Sequence, residues 1–237
     1  MDMTFNEVMT ELEKLGTEQT RKTWKNHGAT GEFWGVKIGD MKGIQKKIKH
    51  NHELALALYN TGNTDVMYFA GLISEPAKMS KAELQQWAEQ APWHMISEYT
   101  VAWTAAESRF GQELAMEWIG SDRELIASAG WSTYSNLLAL KSDEELDKKE
   151  IKSLLQKVSK TIHQQPNRVR SSMNGFVIAV GAYFLPLAAE AKKTALAVGK
   201  VSVDMGGTAC KVPDALAYIE KVALAGKAGK KKKTVFC

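Results

Sequence analysis

Basic side chains give the clearest chemical signal in this sequence. Arg168 and Arg170 follow Pro166, at a point where the residue pattern predicts the start of a helix. Helix amino termini and guanidinium groups both attract anions, and a guanidinium can bind phosphate through two parallel hydrogen bonds. We therefore predict that Arg168 and Arg170 contact backbone phosphate groups. The alternative for both residues is an ordinary solvated helix end.

Lysines form two clusters, although the net charge of the chain is only +4. The first cluster comprises Lys42, Lys46, Lys47 and Lys49, and the second runs from Lys227 to Lys233. Local charge matters more than total charge when the partner is a polyanion. Each lysine that neutralises a phosphate adds salt-sensitive affinity that is independent of base sequence. We predict such contacts for Lys230, Lys231, Lys232 and Lys233, with a disordered, solvated tail as the alternative.

Other kinds of site are not indicated. Cys210 and Cys237 have no cysteine or histidine at metal-ligand spacing beside them, and His94 and His163 are equally isolated. This pattern predicts neither a disulfide framework nor a metal site, and no cofactor is expected. Acidic side chains interrupt the apolar residues of the first segment, so we do not expect it to act as a signal peptide. We expect a cytoplasmic monomer without membrane contact.

Apolar residues recur at helical spacing along nearly the whole chain. In the first segment they are Phe5, Val8, Met9, Leu12 and Leu15, and Thr4 with Glu7 forms a capping-box pattern before them. Further helices are predicted at 18–26, 40–50, 52–61, 65–73, 81–89, 93–107, 110–119, 123–140, 147–163, 167–184, 187–198 and 214–224. No segment in the run up to residue 140 alternates like a β-strand.

Short linkers between these helices predict an all-α fold. Helix pairs joined by a few residues stack into an α-solenoid, with HEAT-like repeats of about 40 residues. We expect one solenoid domain over residues 1–226, interrupted by a non-helical loop at 198–212, and a basic C-terminal tail at 227–237.

Four segments resemble those of one protein family in their order and spacing. They are Phe33-Trp34-Gly35-Val36-Lys37-Ile38-Gly39-Asp40-Met41-Lys42-Gly43-Ile44, Leu54-Ala55-Leu56-Ala57-Leu58-Tyr59, Pro92-Trp93-His94-Met95-Ile96-Ser97 and Asn167-Arg168-Val169-Arg170. In their order and spacing over about 150 residues, these segments resemble the AlkC/AlkD family of DNA alkylation-repair proteins. The stretch from Asp204 to Pro213 and the lysine-rich tail resemble a bacterial subgroup of AlkD-like proteins.

The resemblance implies a chemistry that this sequence matches only in part. Family glycosylases use aromatic side chains that contact the sugar of an alkylated purine nucleotide and a carboxylate that stabilises the charge developing there. Trp93 matches the first aromatic, and a core position is its alternative. Ser97 stands where the carboxylate belongs, and Glu98 lies about 100° away on an α-helix. The family arginine falls near Ala127 and Ser128, and its second aromatic near Gly175, so neither is matched.

Three functions remain open at this point. The first is a repair-related protein that binds double-stranded DNA, with or without alkylation, through Trp93, Arg168, Arg170 and the tail lysines but has lost the excision chemistry. The second is an active glycosylase for N-alkylated purines, with Trp93, Ser97 and Glu98 as candidate catalytic residues and Glu98 acting through a shifted helix register. The third is a protein-interaction scaffold, because helical solenoids commonly serve as binding surfaces.

Overall fold

A computed structural model describes residues 3–236, and these residues fold as thirteen α-helices without a β-strand. The helices are α1 Phe5–Leu15, α2 Glu18–Asn26, α3 Ile38–Ile48, α4 His52–Tyr59, α5 Thr64–Ile73, α6 Lys81–Gln90, α7 Ala102–Glu107, α8 Gly111–Ile119, α9 Glu124–Leu140, α10 Lys148–Thr161, α11 Asn167–Tyr183, α12 Ala188–Val198 and α13 Ala215–Leu224. The all-α prediction is confirmed. The capping box predicted at Thr4 and Glu7 is also present.

The helices stack in two layers. The outer layer contains α4, α6, α8, α10 and α12, and the inner layer contains α3, α5, α7, α9, α11 and α13. Outer helices pack beside the inner helices that follow them in the chain, and successive inner helices contact each other. Where α5 and α6 meet this layer, the contacts are made by residues 96–101, the helical stretch directly before α7. Short turns join α4 to α5, α8 to α9 and α10 to α11, so the members of these pairs run antiparallel. This arrangement confirms the predicted α-solenoid of stacked helix pairs.

Aromatic side chains pack neighbouring helices of the outer layer against each other. The rings of Tyr59 on α4 and Trp87 on α6 stack 4.0 Å apart, and the Tyr59 hydroxyl donates to the Trp87 carbonyl oxygen at 2.7 Å. Both side chains are fully buried, so the phenol hydroxyl needs this partner. The stacked rings and the hydrogen bond thus hold the two outer helices α4 and α6 together.

Two segments depart from the regular helical pattern. The predicted helix 93–107 contains a π-helical stretch, Ile96–Val101, before α7 begins. Between α12 and α13, residues 199–214 contain no helix, and we call this segment the crossing loop. Residues 227–236 follow α13 without helical structure, and Cys237 lies outside the described residues.

Residues 3–236 contain neither a single helix that could span a membrane nor a cluster of metal ligands. No single helix there is long and apolar enough to cross a membrane; α11 and Leu185–Val198 meet that requirement only together, with a bend of 113° between them. The same residues contain no group of three or more histidine, cysteine, aspartate or glutamate side chains placed to hold a metal ion.

Candidate nucleic-acid groove

The inner helices present their amino-terminal ends along one side of the solenoid, which we call the amino edge. A cavity of about 350 Å³ opens there, and its walls include Trp93 before the π-helical stretch, Glu124 at the start of α9, and Asn167 and Arg168 at the start of α11. Aligned helix amino termini carry partial positive charge from unpaired backbone N–H groups. The amino edge is therefore suited to anions, although Glu124 adds a carboxylate.

A buried carboxylate fixes the loop that forms one end of the amino edge. Asp65, only 3% exposed at the start of α5, accepts hydrogen bonds from the backbone N–H groups of Trp34, Gly35 and Val36 and from Trp24 Nε1. Burial raises the pKa of the Asp65 carboxyl, while these four hydrogen bonds oppose the rise. Asp65 therefore explains why the Trp-Gly-Val segment holds its shape.

Gly35 meets a steric requirement in the same loop. Its φ is +81°, and a Cβ atom at this position would lie 2.5 Å from the Arg21 backbone nitrogen. Only glycine fits this conformation and this close approach.

Trp93 is largely enclosed where it meets the cavity. Its side chain is 5% exposed, its Nε1 donates to the His27 carbonyl oxygen at 3.0 Å, and its ring lies 5.7 Å from that of Trp24. Trp93 thus ties the end of α2 to the start of the π-helical stretch. The DNA contact predicted for Trp93 remains a prediction, and it would involve only a small exposed part of the ring.

The π-helical stretch changes the register of the candidate catalytic residues. An extra residue in the turn rotates the residues that follow it relative to an uninterrupted α-helix. Ser97 is fully buried, and its hydroxyl lies 3.4 Å from the His94 carbonyl oxygen. Glu98 points to α11, where Oε1 and Oε2 accept hydrogen bonds from Arg168 Nε and Nη2 at 2.8 and 2.6 Å.

The Glu98–Arg168 pair is mostly removed from solvent. The Arg168 and Glu98 side chains are 15% and 9% exposed, respectively. Burial raises the pKa of the Glu98 carboxyl, and the facing guanidinium opposes this rise. Charge-assisted hydrogen bonds at two points are among the strongest that side chains form. The pair therefore fixes the π-helical stretch against α11.

His94 stands beside this pair and lines the cavity. Burial lowers the pKa of the His94 imidazole to about 3, and the neighbouring Arg168 guanidinium contributes to this decrease. His94 is consequently neutral at physiological pH and adds no positive charge to the groove.

The two arginines predicted to contact phosphate occupy different surroundings. Two nitrogens of the Arg168 guanidinium are bound to Glu98, so a phosphate contact would need the remaining terminal nitrogen. The Arg168 backbone N–H donates to Glu124 Oε1 at 2.6 Å. Arg170 is partly exposed, and its Nη2 donates to Asn167 Oδ1 at 3.4 Å. Arg170 forms no ion pair with a residue between 3 and 236, which makes it the better phosphate ligand of the two.

The crossing loop bridges the two ends of the amino edge. Near α11, the Asn167 side chain donates to the Asp204 carbonyl oxygen at 2.8 Å and accepts from the Asp204 N–H at 2.7 Å. At the other end, the Gly207 N–H donates to the Asn26 carbonyl oxygen at 2.9 Å. The loop residues Asp204, Met205 and Gly206 thereby complete the cavity wall.

The tail lysines lie away from this cavity. Residues 229–235 contact the carboxyl-terminal ends of α11, α9 and α7, on the side of the solenoid that we call the carboxyl edge. The structure therefore divides the predicted DNA-binding residues into two groups: Trp93, Arg168 and Arg170 on the amino edge, and Lys230, Lys231, Lys232 and Lys233 on the carboxyl edge.

Sequence reasoning missed three residues that shape the groove. In the sequence, Asp65 and Glu124 are recognisable only as acidic residues in the first turn of a helix, a position that acidic residues commonly occupy. Asn26 bears no sequence signal at all, because its role depends on a contact with Gly207 from the other end of the chain.

The layered helices and the shared amino edge define a HEAT-like helical-repeat protein. The family described as "DNA alkylation repair enzyme" matches residues 8–191, and the chain belongs to this family.

Relatives of known sequence or structure extend the match to nearly the full chain. An uncharacterized protein of Listeria monocytogenes is 38% identical over 225 residues, covering 92% of this chain and 97% of its own. A second uncharacterized protein, from Listeria innocua, is 37% identical over the same length and the same shares. A solved structure matches with a TM-score of 0.90 and 42% identity over 99% of this chain and 100% of its own. It is described as a new family of proteins related to the HEAT-like repeat DNA glycosylases with affinity for branched DNA structures.

Proposed function

We propose that this protein binds branched DNA through the amino edge and does not excise bases. The observation that carries the proposal is the ion pairing of Glu98, the first carboxylate that follows Trp93 along the chain. Both of its oxygens are bound by Arg168 in a mostly buried ion pair. A carboxylate held in this way is not presented to a sugar in the groove, whereas the helix amino termini and Arg170 can still bind phosphate.

The comparison with solved structures supports the choice of ligand. The protein with affinity for branched DNA shares 42% identity and almost the entire length of this chain. We infer that the partner is double-stranded DNA containing a branch point, with or without an alkylated base. The proposed binding is sequence-independent, because it depends on phosphate contacts.

Binding and base release should be measured in the same samples. A labelled four-way DNA junction, an undamaged linear duplex and a duplex carrying N-alkylated purines would be titrated with protein between about 50 and 200 mM salt. We expect the junction to bind most tightly, with affinity that falls steeply with salt, and no release of alkylated base. If none of the three DNAs binds at moderate salt, the proposal is wrong and a protein-interaction scaffold becomes the better hypothesis.

Arg170 provides a residue-level test of the amino edge. Arg170→Gln should weaken junction binding and lower the magnitude of the salt slope by about 0.9, the value for one phosphate contact. Lys193→Gln on the outer helix α12 is the matched control, since it removes one exposed charge that does not line the cavity. Equal effects of the two substitutions would argue against a specific role for the groove.

Glycosylase activity is the second candidate, and the π-helical stretch Ile96–Val101 favours it. It supplies the shift in register that Glu98 would need, and Glu124 brings another carboxylate to the cavity. In this reaction water would replace the base at the sugar carbon as the N-glycosidic bond breaks, with a carboxylate stabilising the cationic sugar. If the wild type releases alkylated purine and Glu98→Gln or Glu124→Gln abolishes release without reducing DNA binding, this candidate replaces the first.

A further inference from the structure

The basic tail is a fixed part of the carboxyl edge. The Gly229 N–H donates to the Ala182 carbonyl oxygen at 2.8 Å, and the Lys232 N–H donates to the Ala139 carbonyl oxygen at 2.8 Å. Further along, the Val235 N–H donates to Glu107 Oε1 at 2.8 Å. Three inner helices thus hold the tail, so its lysines occupy defined positions.

The tail lysines divide into inward and outward groups. Lys231 is turned inward, where its Nζ donates to the Leu138 carbonyl oxygen at 2.9 Å and pairs with Asp143 at 2.9 Å. Lys227, Lys230 and Lys233 are exposed, and none of them forms an ion pair with another described residue. Lys231 therefore anchors the tail, and its neighbours present uncompensated positive charge to solvent.

The lysine cluster near the other end of the chain reaches the same edge. Lys46 and Lys47 lie in the last turn of α3, and Lys49 follows directly. Gln45, in that same turn, donates from Nε2 to the Leu72 carbonyl oxygen at the end of α5 at 3.1 Å, so the two helices end side by side. Two clusters far apart in sequence therefore place exposed lysines along one edge.

The basic carboxyl edge is separated from the groove by the length of the inner helices. Helices α9 and α11 each contain 17 residues. At 1.5 Å per residue, their two ends lie about 25 Å apart. A straight duplex seated on the amino edge leaves the lysines of the carboxyl edge without a phosphate partner.

We propose that the carboxyl edge binds the phosphate backbone of a second arm of the same branched DNA. This inference rests on the proposed function and adds the site that distinguishes a branched from a linear molecule. One arm lies on the amino edge, and an arm that diverges at the branch point reaches Lys227, Lys230 and Lys233. Linking two modest contacts in one ligand raises its affinity above that of either contact alone.

The test uses the full chain and two triple variants of equal charge. Lys227→Gln, Lys230→Gln and Lys233→Gln together remove the outward charges and retain Lys231 and Lys232, whose side chains contact the body of the protein. The control combines Lys152→Gln, Lys157→Gln and Lys193→Gln, three exposed positions on the outer helices α10 and α12. Thermal unfolding would verify that both variants are folded as the wild type is.

Each protein would be titrated with a four-way junction and with a linear duplex of equal phosphate number. We expect the tail variant to bind the junction about tenfold or more weakly, with a salt slope reduced by about 0.9 for each phosphate that the tail no longer neutralises. Its binding to the linear duplex should be unchanged, and the control should bind both DNAs as the wild type does.

Two results would overturn the inference while leaving the proposed function intact. One is a tail variant that binds the junction like the wild type, which would direct the search to another partner, such as an acidic protein. The other is an equal loss for junction and linear duplex, which would show that the tail does not discriminate branches. A wild type that binds neither DNA would overturn the proposed function itself.

Discussion

Glu98 and Arg168 lie 70 residues apart in sequence and form a two-point ion pair at 2.8 and 2.6 Å beneath the groove. The pair joins the π-helical stretch, which directly follows the cavity segment that holds Trp93 and His94, to the first turn of α11, which lines the same cavity. Its position links the stability of the fold to the shape of the binding surface. Removing either partner leaves a charged group in a site that is largely closed to water.

Substituting one member of this pair should be costly. We expect Glu98→Ala to lower the free energy of unfolding by about 3–5 kcal/mol, because the Arg168 guanidinium would stay buried without a counter-charge. The double variant Glu98→Met with Arg168→Met should recover much of that loss, since neither charge remains. Urea unfolding of Glu98→Met, Arg168→Met and the double variant gives the interaction energy between the two side chains, as the difference between the effect of the double variant and the sum of the two single effects. If the changes in the free energy of unfolding are strictly additive, the two side chains contribute no interaction energy.

Replacing Asp65 by asparagine, which has the same shape, should also lower the free energy of unfolding. In Asp65→Asn, one carboxylate oxygen becomes an NH₂ group that faces backbone N–H donors of the Trp34–Val36 segment. We expect a loss of about 1–3 kcal/mol for each donor left without an acceptor. Urea unfolding would measure the loss, and amide hydrogen exchange of residues 34–36 should increase. Asp147→Asn, at an exposed helix cap, is the control and should change stability only slightly.

The helical fold could be predicted from the sequence because it depends on local periodicity. The apolar spacing in α1 and the cap at Thr4 are encoded within a few neighbouring residues. The apolar pattern of residues 93–107 predicts one helix, and a shifted register is considered only as the condition for Glu98 to act, because a single extra residue changes the pattern of so short a segment very little. The register of the π-helical stretch is set by Arg168, a residue from a distant helix. The place of the tail likewise depends on tertiary contacts, such as that of Lys232 with Ala139.

His94 provides a prediction for pH dependence. Its pKa in the folded protein is lowered from 6.5 to about 3, mainly by burial. As pH falls below about 6.5, the unfolded chain binds a proton that the folded chain does not, so the free energy of unfolding declines. We expect wild-type stability to fall between about pH 6 and pH 4, and His94→Gln to reduce that fall. NMR titration of the imidazole would contradict this explanation if the resonance of His94 titrated near pH 6.5.

The crossing loop should control access to the amino edge. Gly206 has a φ of +68°, and a Cβ atom there would collide with the Asn26 carbonyl oxygen, so Gly206→Ala should separate the loop from α2. A Cβ atom at Gly207 would lie 3.8 Å from Asn26 Cβ, a separation typical of disulfides. The double variant Asn26→Cys with Gly207→Cys, in a background with Cys210→Ser and Cys237→Ser, can therefore hold the loop closed.

If DNA enters only when the loop is released, closure should reduce binding in a reversible way. We expect the oxidised double variant to bind a four-way junction about tenfold or more weakly than its reduced form, because affinity falls with the population of the open state. Reduction should restore binding, and each single-cysteine variant should respond to neither treatment. Gly206→Ala should bind at least as tightly as the wild type. Equal affinity of the oxidised and reduced forms would show instead that DNA binds without release of the loop.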